Sequence, residues 1–358
     1  MNAMKVKTSQ LVEGCVLKND IFLSSPQPFM RKKTILDKER IQILNAFLID
    51  EVEVEAHLIN GEEFVPDPSL ANESEEEKGF FPQYIKAVEK YHKLFQNWMS
   101  GKNIDHLEVR QIVVPLFKEL MKNPGDLLLL HHYSEKEAYL YHHAVSVSLL
   151  SAFIGQKMNL SKQEWMEVGV AGALADSGMS QIDRKIIEKP GRLTYEEFEE
   201  IKKHPIIAYN KLKTNKLISN KILLAVLQHH EREDGSGYPL GVKGDKIHLY
   251  GQIVAVADVY HAMTSERHYR SKKSPYLVLE ELWNGHFGKL NVKVVRTFVK
   301  SMLNFSIGTT VQLSNGKRGE IVFYNEQNPT RPMIKLLDTD EIINLSQHLQ
   351  LFIEEVIV

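Results

Sequence analysis

The chain has 358 residues, of which 43% are apolar and 25% are charged, and its formal charge is −2. At about 100–200 residues per domain, this length predicts two or three domains. The composition excludes a disordered or fibrous chain, and the lack of a basic excess argues against a protein that coats nucleic acid. Cys15 is the only cysteine, which excludes an internal disulfide and a cysteine-rich zinc site.

The first residues lack the apolar core of a signal peptide. No apolar run approaches the ~18 residues that a membrane span needs. The sequence therefore predicts a cytoplasmic protein with no membrane span, and the single cysteine is compatible with a reducing compartment.

Residues 1–67 predict a small N-terminal α+β module. Asp37 is placed to cap a helix whose apolar residues recur every three to four positions up to Phe47. Residues 51–55 alternate between apolar and charged side chains, which predicts a strand with one wet face. Residues 12–17 predict a second short strand.

Residues 68–81 predict an acidic linker because proline, serine and a run of glutamates replace the apolar pattern. From 82 to 305 the apolar spacing follows the helical period, interrupted by a glycine-rich loop over 235–239. The helical segments predicted most clearly are 112–121, 142–158, 162–175, 194–212, 218–230, 251–263 and 276–283.

Residues 306–358 change to the period of strands and predict a small β-barrel or a curled sheet. The predicted strands are 310–313, 320–324, 333–337 and 351–353, with a hairpin turn over 314–317. The fold class predicted for the whole chain is therefore mainly α, a helical bundle between two small terminal modules.

Histidine and aspartate in and beside the predicted central helices form a candidate metal cage. Neutral imidazole and carboxylate suit Fe, Mn, Zn or Ni, and facing helices of a bundle commonly hold such ligands. Two metals about 3.5–4 Å apart would suit phosphodiester hydrolysis. Spacing alone does not distinguish this cage from ordinary core histidines. The set is His143, Asp176, His204, His229, His230 and Asp258.

One segment adds context to this set. It reads His229-His230-Glu231-Arg232-Glu233-Asp234-Gly235-Ser236-Gly237-Tyr238-Pro239. This segment closely resembles the signature of the HD-GYP family, a branch of the HD metal-dependent phosphohydrolases. Further stretches fit the family in its own order, at 139–147, 189–198, 203–205, 253–260 and 264–270. The resemblance covers about 125–305.

The family typically hydrolyses cyclic di-GMP to linear pGpG and often on to GMP. The resemblance implies an HD-type bundle in which the six cage residues are ligands of one or two divalent ions, Fe or Mn. Asp176 would be the bridging carboxylate on which catalysis depends. The residues implied for the substrate side are Arg267, Arg270, Gly237, Tyr238 and Pro239. The family also links the loop to diguanylate cyclase domains, which makes such a protein a candidate partner.

The name-giving His-Asp pair of the family is altered in this chain, which reads Ala175-Asp176-Ser177-Gly178-Met179. Ala175 stands where the family has the histidine and supplies no ligand atom. Met179 replaces a lysine expected to stabilise phosphate charge, and such a loss commonly costs on the order of 10²–10³ in rate. Asp176, His204, His229 and His230 remain as a set that could hold one metal.

Two smaller departures concern neighbours of the cage. His261 stands where the family often has aspartate, one helical turn from Asp258. It is either a substitute metal donor or a residue behind the ligands or at the surface. Tyr139 stands where members with three metals carry glutamate, so a third metal is not expected.

Three interpretations of the function stay open. In the first, the chain is a slow metal-dependent cyclic di-GMP phosphodiesterase. In the second, it is a degenerate domain that binds the nucleotide or one metal and signals through a partner. In the third, it is a scaffold that docks through an exposed His131-His132 pair and the C-terminal β module. Nucleic acid is disfavoured as a partner. A homodimer through helices in 82–121 is open, since such helices equally pack on their own domain.

Overall fold

A computed structural model describes residues 3–22, 28–46, 49, 51–67, 79–133, 138–189, 191–265, 273–285, 289–303, 307–325 and 328–357. The N-terminal part contains strand β1 (Ala3–Lys7), helix α1 (Lys38–Ala46) and strand β2 (Glu51–Glu55). The two strands pair antiparallel, with Ala3 opposite Glu55 and Lys7 opposite Glu51. The small α+β arrangement predicted for this part is present.

The local signals of the N-terminal part had different outcomes. Val52 and Val54 are buried while their neighbours face outward, which confirms the predicted alternating strand. The Asp37 carboxylate accepts a hydrogen bond from the Arg40 backbone N–H at 2.8 Å, which confirms the predicted helix cap. The strand predicted over 12–17 is wrong, because only isolated bridges form at its end. β1 was not predicted.

The central part consists of helices joined by loops and short 3₁₀ turns, with a long loop over 229–248. Its helices are α2 (Phe80–Met99), α3 (His106–Leu120), α4 (Leu130–Tyr133), α5 (Tyr139–Lys157), α6 (Lys162–Leu174), α7 (Arg184–Ile187), α8 (Tyr195–Ile201), α9 (His204–Leu212), α10 (Asn220–Gln228), α11 (Leu249–Thr264), α12 (Pro275–Trp283) and α13 (Val292–Leu303). α2 begins inside the range predicted as linker. The rest of that range, 68–78, lies outside the described residues.

α5 is the central helix of the bundle and is buried on nearly all sides. It packs on α6 at very close range, since a Cβ added to Gly172 would lie 2.8 Å from the Val147 carbonyl oxygen. Small residues at this contact allow the two backbones to approach. The close packing brings the end of α6, where Asp176 follows, beside the first turns of α5, where His143 lies.

The helix predicted over 194–212 is two helices, α8 and α9. Pro205 lies in the first turn of α9, where its missing N–H costs nothing, but it cannot continue a helix that arrives from α8. The break places His204 at the start of α9. A Cβ on Gly178 would lie 2.0 Å from the His204 carbonyl oxygen, so the turn after Asp176 sits directly on this helix start.

The apolar face of α2 is buried within the chain. The Tyr84 hydroxyl lies 3.0 Å from His142 Nδ1 on α5, and the Tyr91 hydroxyl donates to the Ala173 carbonyl at 2.6 Å. α2 therefore packs on its own domain, which is the alternative to pairing with a second copy of the chain. The prediction that both His131 and His132 are exposed is wrong for His131, which is buried.

The C-terminal part is an antiparallel sheet in the order β6-β5-β4-β3-β7. Its strands are β3 (Thr310–Leu313), β4 (Arg318–Phe323), β5 (Met333–Leu336), β6 (Ile342–Asn344) and β7 (Ile353–Val356). β6 and β7 are the edges, so the described part is an open sheet and not a closed barrel. β6 was not predicted, and the strand predicted over 351–353 lies at 353–356.

Polar contacts join this sheet to the helices. The Arg331 guanidinium binds Glu280 of α12 through two nitrogens, each 2.9 Å from Oε1, and the Ser274 hydroxyl donates to the Ile353 carbonyl at 2.8 Å. The buried side chains of the sheet also join the same apolar core as those of the helices. The fold class predicted from the sequence is confirmed, while the domain boundaries stay predictions.

Among the helices that the structure describes, none is both long enough and apolar enough to cross a bilayer.

Candidate metal centre

Asp176 lies at the centre of the candidate site, between the end of α6 and a 3₁₀ turn. Its Oδ1 is 3.1 Å from His204 Nε2 and 3.6 Å from His229 Nε2. Burial alone would raise the pKa of Asp176, but its contacts with the two imidazoles bring that pKa well below the ordinary value. The carboxylate is therefore ionised and suited to a cation.

The backbone fixes which nitrogen of each imidazole faces Asp176. His204 Nδ1 donates to the Ile201 carbonyl at 2.7 Å, and His229 Nδ1 donates to the Val226 carbonyl at 2.8 Å. Nε2 of each ring is therefore the nitrogen that faces Asp176, and the two Nε2 atoms are 3.3 Å apart. Two imidazole nitrogens and a carboxylate that converge in this way are a ligand set that fits a bound cation.

His230 completes a group of four. α10 ends at Gln228, and His229 follows it with helical backbone angles of φ −64° and ψ −17°. One ligand atom each from Asp176, His204, His229 and His230 lie within 4.8 Å of one another. Burial lowers the pKa of His230 far below its ordinary value, which favours the neutral form that binds metals.

The other half of the cage contains His143 and Asp258. His143 Nε2 lies 3.0 Å from Asp258 Oδ1 and 3.5 Å from Asp176 Oδ2. The second oxygen of Asp258 is 3.7 Å from His230 Nδ1. Asp176 thus directs one oxygen to each half. Ala175, buried beside it, adds no donor to the half around His143.

The outer side of His143 contacts two of the residues that depart from the family pattern. His143 Nδ1 lies 3.0 Å from the Tyr139 hydroxyl and 3.0 Å from His261 Nδ1. His261 is only 1% exposed, which excludes the surface alternative. It contacts the nitrogen of His143 that faces away from the two carboxylates, so it lies behind a candidate ligand.

The loop after His230 is fixed by a buried carboxylate. Glu231 is 2% exposed, and it accepts the backbone N–H groups of Leu240 at 2.7 Å and Val242 at 3.2 Å. A Cβ on Gly237 would lie 2.4 Å from the His230 carbonyl oxygen, so only glycine allows this close return. The loop thereby brings its tip back against the metal-ligand candidates.

Replacing Glu231 with alanine is expected to loosen this loop without removing a metal ligand. The backbone N–H groups of Leu240 and Val242 would lose a charged acceptor, and a hydrogen bond to a charged group contributes about 1.5–3 kcal/mol. Hydrogen exchange of the backbone over 238–242 should accelerate, while the exposed change Glu89→Ala should leave exchange there unaltered. Unchanged protection in Glu231→Ala would contradict this role.

Tyr238 places an aromatic ring at the site. Its ring centre is 4.6 Å from that of His230, and the peptide bond to Pro239 is cis. The Lys202 ammonium lies 5.9 Å from the centre of the Tyr238 ring. A cation and an aromatic face therefore stand next to the four-ligand group.

The predicted site residues have two outcomes. The structure brings the six candidate ligands together, with Gly237, Tyr238 and Pro239 in the adjoining loop. Arg267 and Arg270 lie outside the described residues. Sequence reasoning gave no role to Glu231 or Lys202. Glu231 stands in the quoted signature, but a glutamate in a polar loop carries no sign of burial.

Comparisons with known proteins agree with this geometry. Residues 130–286 match the model of the HD domain. The chain is 31% identical over 245 residues to the cyclic di-GMP phosphodiesterase PA4108 of Pseudomonas aeruginosa, covering 68% of this chain and 58% of that protein. It is 27% identical to the cyclic di-GMP phosphodiesterase PdeB of Borreliella burgdorferi over 82% of this chain and 79% of that protein.

A further relative and a solved structure complete the comparison. A cyclic di-GMP phosphodiesterase of Thermotoga maritima is 39% identical over 49% of this chain and 47% of that protein. The chain thus spans about half the length of two of these relatives. The HDG"Y"P protein Bd1817 of Bdellovibrio bacteriovorus shares the fold, with a TM-score of 0.51 and 14% identity over 84% of this chain and 99% of its own.

The fold and the match together place residues 130–286 in the HD domain family. The chain is related to proteins named as cyclic di-GMP phosphodiesterases, and Ala175 precedes Asp176 in its sequence.

Proposed function

We propose that this chain is a cyclic di-GMP receptor derived from HD-GYP phosphodiesterases. It holds one divalent ion, Fe or Mn, and its hydrolysis of the nucleotide is far slower than that of an intact two-metal site. The observation that carries the proposal is the asymmetry of the cage. Asp176, His204, His229 and His230 form one group of four candidate ligands, whereas His143 and Asp258 lie in the half of the cage to which Ala175 adds no donor.

Each half of the cage contributes differently to this function. Asp176, His204, His229 and His230 would hold the ion, which when bound supplies positive charge to phosphate oxygens. The backbone carbonyls of Ile201 and Val226 orient two of those imidazoles. The half around His143 offers one imidazole and carboxylates that also contact the four-ligand group. Because Ala175 supplies no ligand to this half, its metal affinity is severely weakened.

The nucleotide class rests on the relatives. Several of them are named cyclic di-GMP phosphodiesterases. A receptor for the same nucleotide would use Tyr238 beside the ion and Arg267 and Arg270 for the phosphates, since guanidinium groups suit phosphate oxygens. A diguanylate cyclase domain is the partner we propose for the Gly-Tyr-Pro loop, and a homodimer stays a proposal.

A second candidate is a weak phosphodiesterase. It is favoured by Asp176, whose two oxygens still face both halves of the cage, and by the retained Asp258. The two candidates predict the same binding but different products.

Anaerobic single-turnover hydrolysis distinguishes them. Protein loaded with Mn(II) or Fe(II) and present in excess over cyclic di-GMP is expected to retain the intact nucleotide. Formation of pGpG or GMP that requires Asp176 would favour the weak enzyme. Recovery of free nucleotide with no product would contradict both candidates and direct attention to the terminal modules.

Replacing Arg267 with alanine should weaken cyclic di-GMP binding by about 10–100-fold in calorimetry, because a charge-assisted hydrogen bond to phosphate contributes about 1.5–3 kcal/mol. Metal content should not change. Arg318, exposed on a strand of the C-terminal sheet, provides the matched control, and Arg318→Ala should bind as the wild type does. Equal affinity in Arg267→Ala and wild type would remove this residue from the proposed site.

A further inference from the structure

We propose that the Lys202 ammonium binds a phosphate of the cyclic dinucleotide beside the candidate metal centre. The inference rests on the proposed receptor function and adds a residue that contacts the ligand. It assigns a role to a cation that the sequence does not single out, in a chain where Met179 stands in place of the lysine that the family resemblance implies.

Lys202 lies at the junction between α8 and α9, two residues before the candidate ligand His204. The turn that contains Met179 packs on the same junction, because a Cβ on Gly178 would lie 2.0 Å from the His204 carbonyl oxygen. Met179 is buried and carries no charge. Lys202 therefore supplies a positive charge next to the turn from which the family's lysine is missing.

Two aromatic rings adjoin the Lys202 ammonium. Its Nζ lies 5.0 Å from the centre of the Phe198 ring and 5.9 Å from the centre of the Tyr238 ring, and both distances suit a cation–π contact. The Tyr238 ring is in turn 4.6 Å from the ring of His230. The two contacts restrict the ammonium to the neighbourhood of the metal centre, which reduces the entropy that it loses on binding an anion.

The ion pair that Lys202 makes within the chain is easily exchanged. Its Nζ is 2.6 Å from Glu199 Oε1, and the two side chains are 31% and 41% exposed. An exposed pair of this kind contributes little to stability, so a phosphate is able to replace the carboxylate at low cost. Arg232, a second cation near Tyr238, is already engaged with the backbone, since its Nη1 donates to the Glu231 carbonyl at 2.9 Å.

The chemistry of the ligand requires more than one positive group. A cyclic dinucleotide carries two phosphodiesters in one ring, each with a negative charge, and the proposed ion supplies charge to one of them. Lys202 and His230 adjoin the same Tyr238 ring, so one ligand is able to reach both the ion and the ammonium. The ammonium has three donors on a flexible stem, which suits a phosphate whose exact position the backbone does not fix.

Calorimetry of cyclic di-GMP with the full chain loaded with Mn(II) tests the inference. The proteins to compare are wild type, Lys202→Gln, Lys202→Arg and Lys203→Gln. Lys203 is the matched control because it is the next residue, is exposed, and also pairs with a glutamate three residues earlier, Glu200, at 2.5 Å. Manganese content and hydrogen exchange over 238–242 are measured in each protein.

We expect Lys202→Gln to bind cyclic di-GMP about 10-fold more weakly than wild type at low salt, because it loses a charge-assisted hydrogen bond. The difference should shrink at high salt, since ions screen a partly exposed charge. Lys202→Arg keeps the charge and should bind within about threefold of wild type. Lys203→Gln should bind as the wild type does, and manganese content and loop exchange should not change in any variant.

Equal affinity in Lys202→Gln and wild type would overturn the inference, and so would an equal loss in Lys203→Gln, which would indicate a general effect of surface charge. A loss in Lys202→Gln that comes with faster exchange over 238–242 would make Lys202 a support of the loop and not a phosphate ligand. Failure of the Mn(II)-loaded wild type to bind the nucleotide would contradict the proposed function itself, whereas the first three results would leave that function standing.

Discussion

Replacing Asp176 with alanine is expected to remove the bound ion and any hydrolysis of cyclic di-GMP together. Its Oδ1 faces His204 and His229, and its Oδ2 faces His143. The change therefore removes a carboxylate that contacts both halves of the cage. Metal affinity should fall by at least about 100-fold, beyond the effect of losing a partner that does not touch the metal.

Equilibrium dialysis against Mn(II), followed by elemental analysis, measures this loss directly. Asp245, an exposed residue of the loop that the buried Glu231 carboxylate holds, supplies a matched control. Asp245→Ala should bind metal as the wild type does. A stoichiometric ion in Asp176→Ala would show that the metal lies elsewhere, and surviving hydrolysis would point to another site or to a contaminant.

Asp176→Asn separates charge from shape. Asparagine keeps one oxygen but loses the negative charge that balances the cation, so metal affinity should fall nearly as far as in the alanine protein. Thermal unfolding without metal should differ little between the two variants. An asparagine protein that binds metal normally would mean that the histidines alone hold the ion.

The periodicity of apolar residues predicted the helical bundle because burial of a helix face repeats every three to four residues. The same periodicity predicted the ends of the helices less well. The pattern over 194–212 continues across a break that Pro205 imposes, and the pattern over 218–230 continues past the end of α10. The second error lies at the site, because His229 and His230, two of the four grouped ligand candidates, directly follow Gln228.

The candidate ligands were predicted from residue types and from the family resemblance, whereas their partners were not. Glu231 is a charged residue in a polar loop, and its burial depends on a loop that returns to meet it. His261 was placed one turn from Asp258, which left two roles open. Only the packing of α11 against α5 shows that it meets the outer nitrogen of His143.

The retained and altered residues of the cage are separated in space. Two of the altered positions, Ala175 and His261, adjoin the half that contains His143, while the four-ligand group retains every ligand that the family resemblance implies there. Random decay would not be expected to spare one half of a shared site. This distribution supports a protein in which one metal and the nucleotide pocket still have a use.

Restoring catalysis is expected to need two changes together. Ala175→His returns the missing ligand, and Met179→Lys returns a cation for phosphate charge. The double variant should hydrolyse cyclic di-GMP at least about 100-fold faster than wild type in single turnover, because the lysine alone is expected to contribute on the order of 10²–10³.

Ala175→His with Met179→Gln controls for the charge, since glutamine is polar and similar in length. It should bind two ions and remain slow. An inactive Ala175→His/Met179→Lys variant that holds two ions would place the remaining defect among the residues that contact the nucleotide.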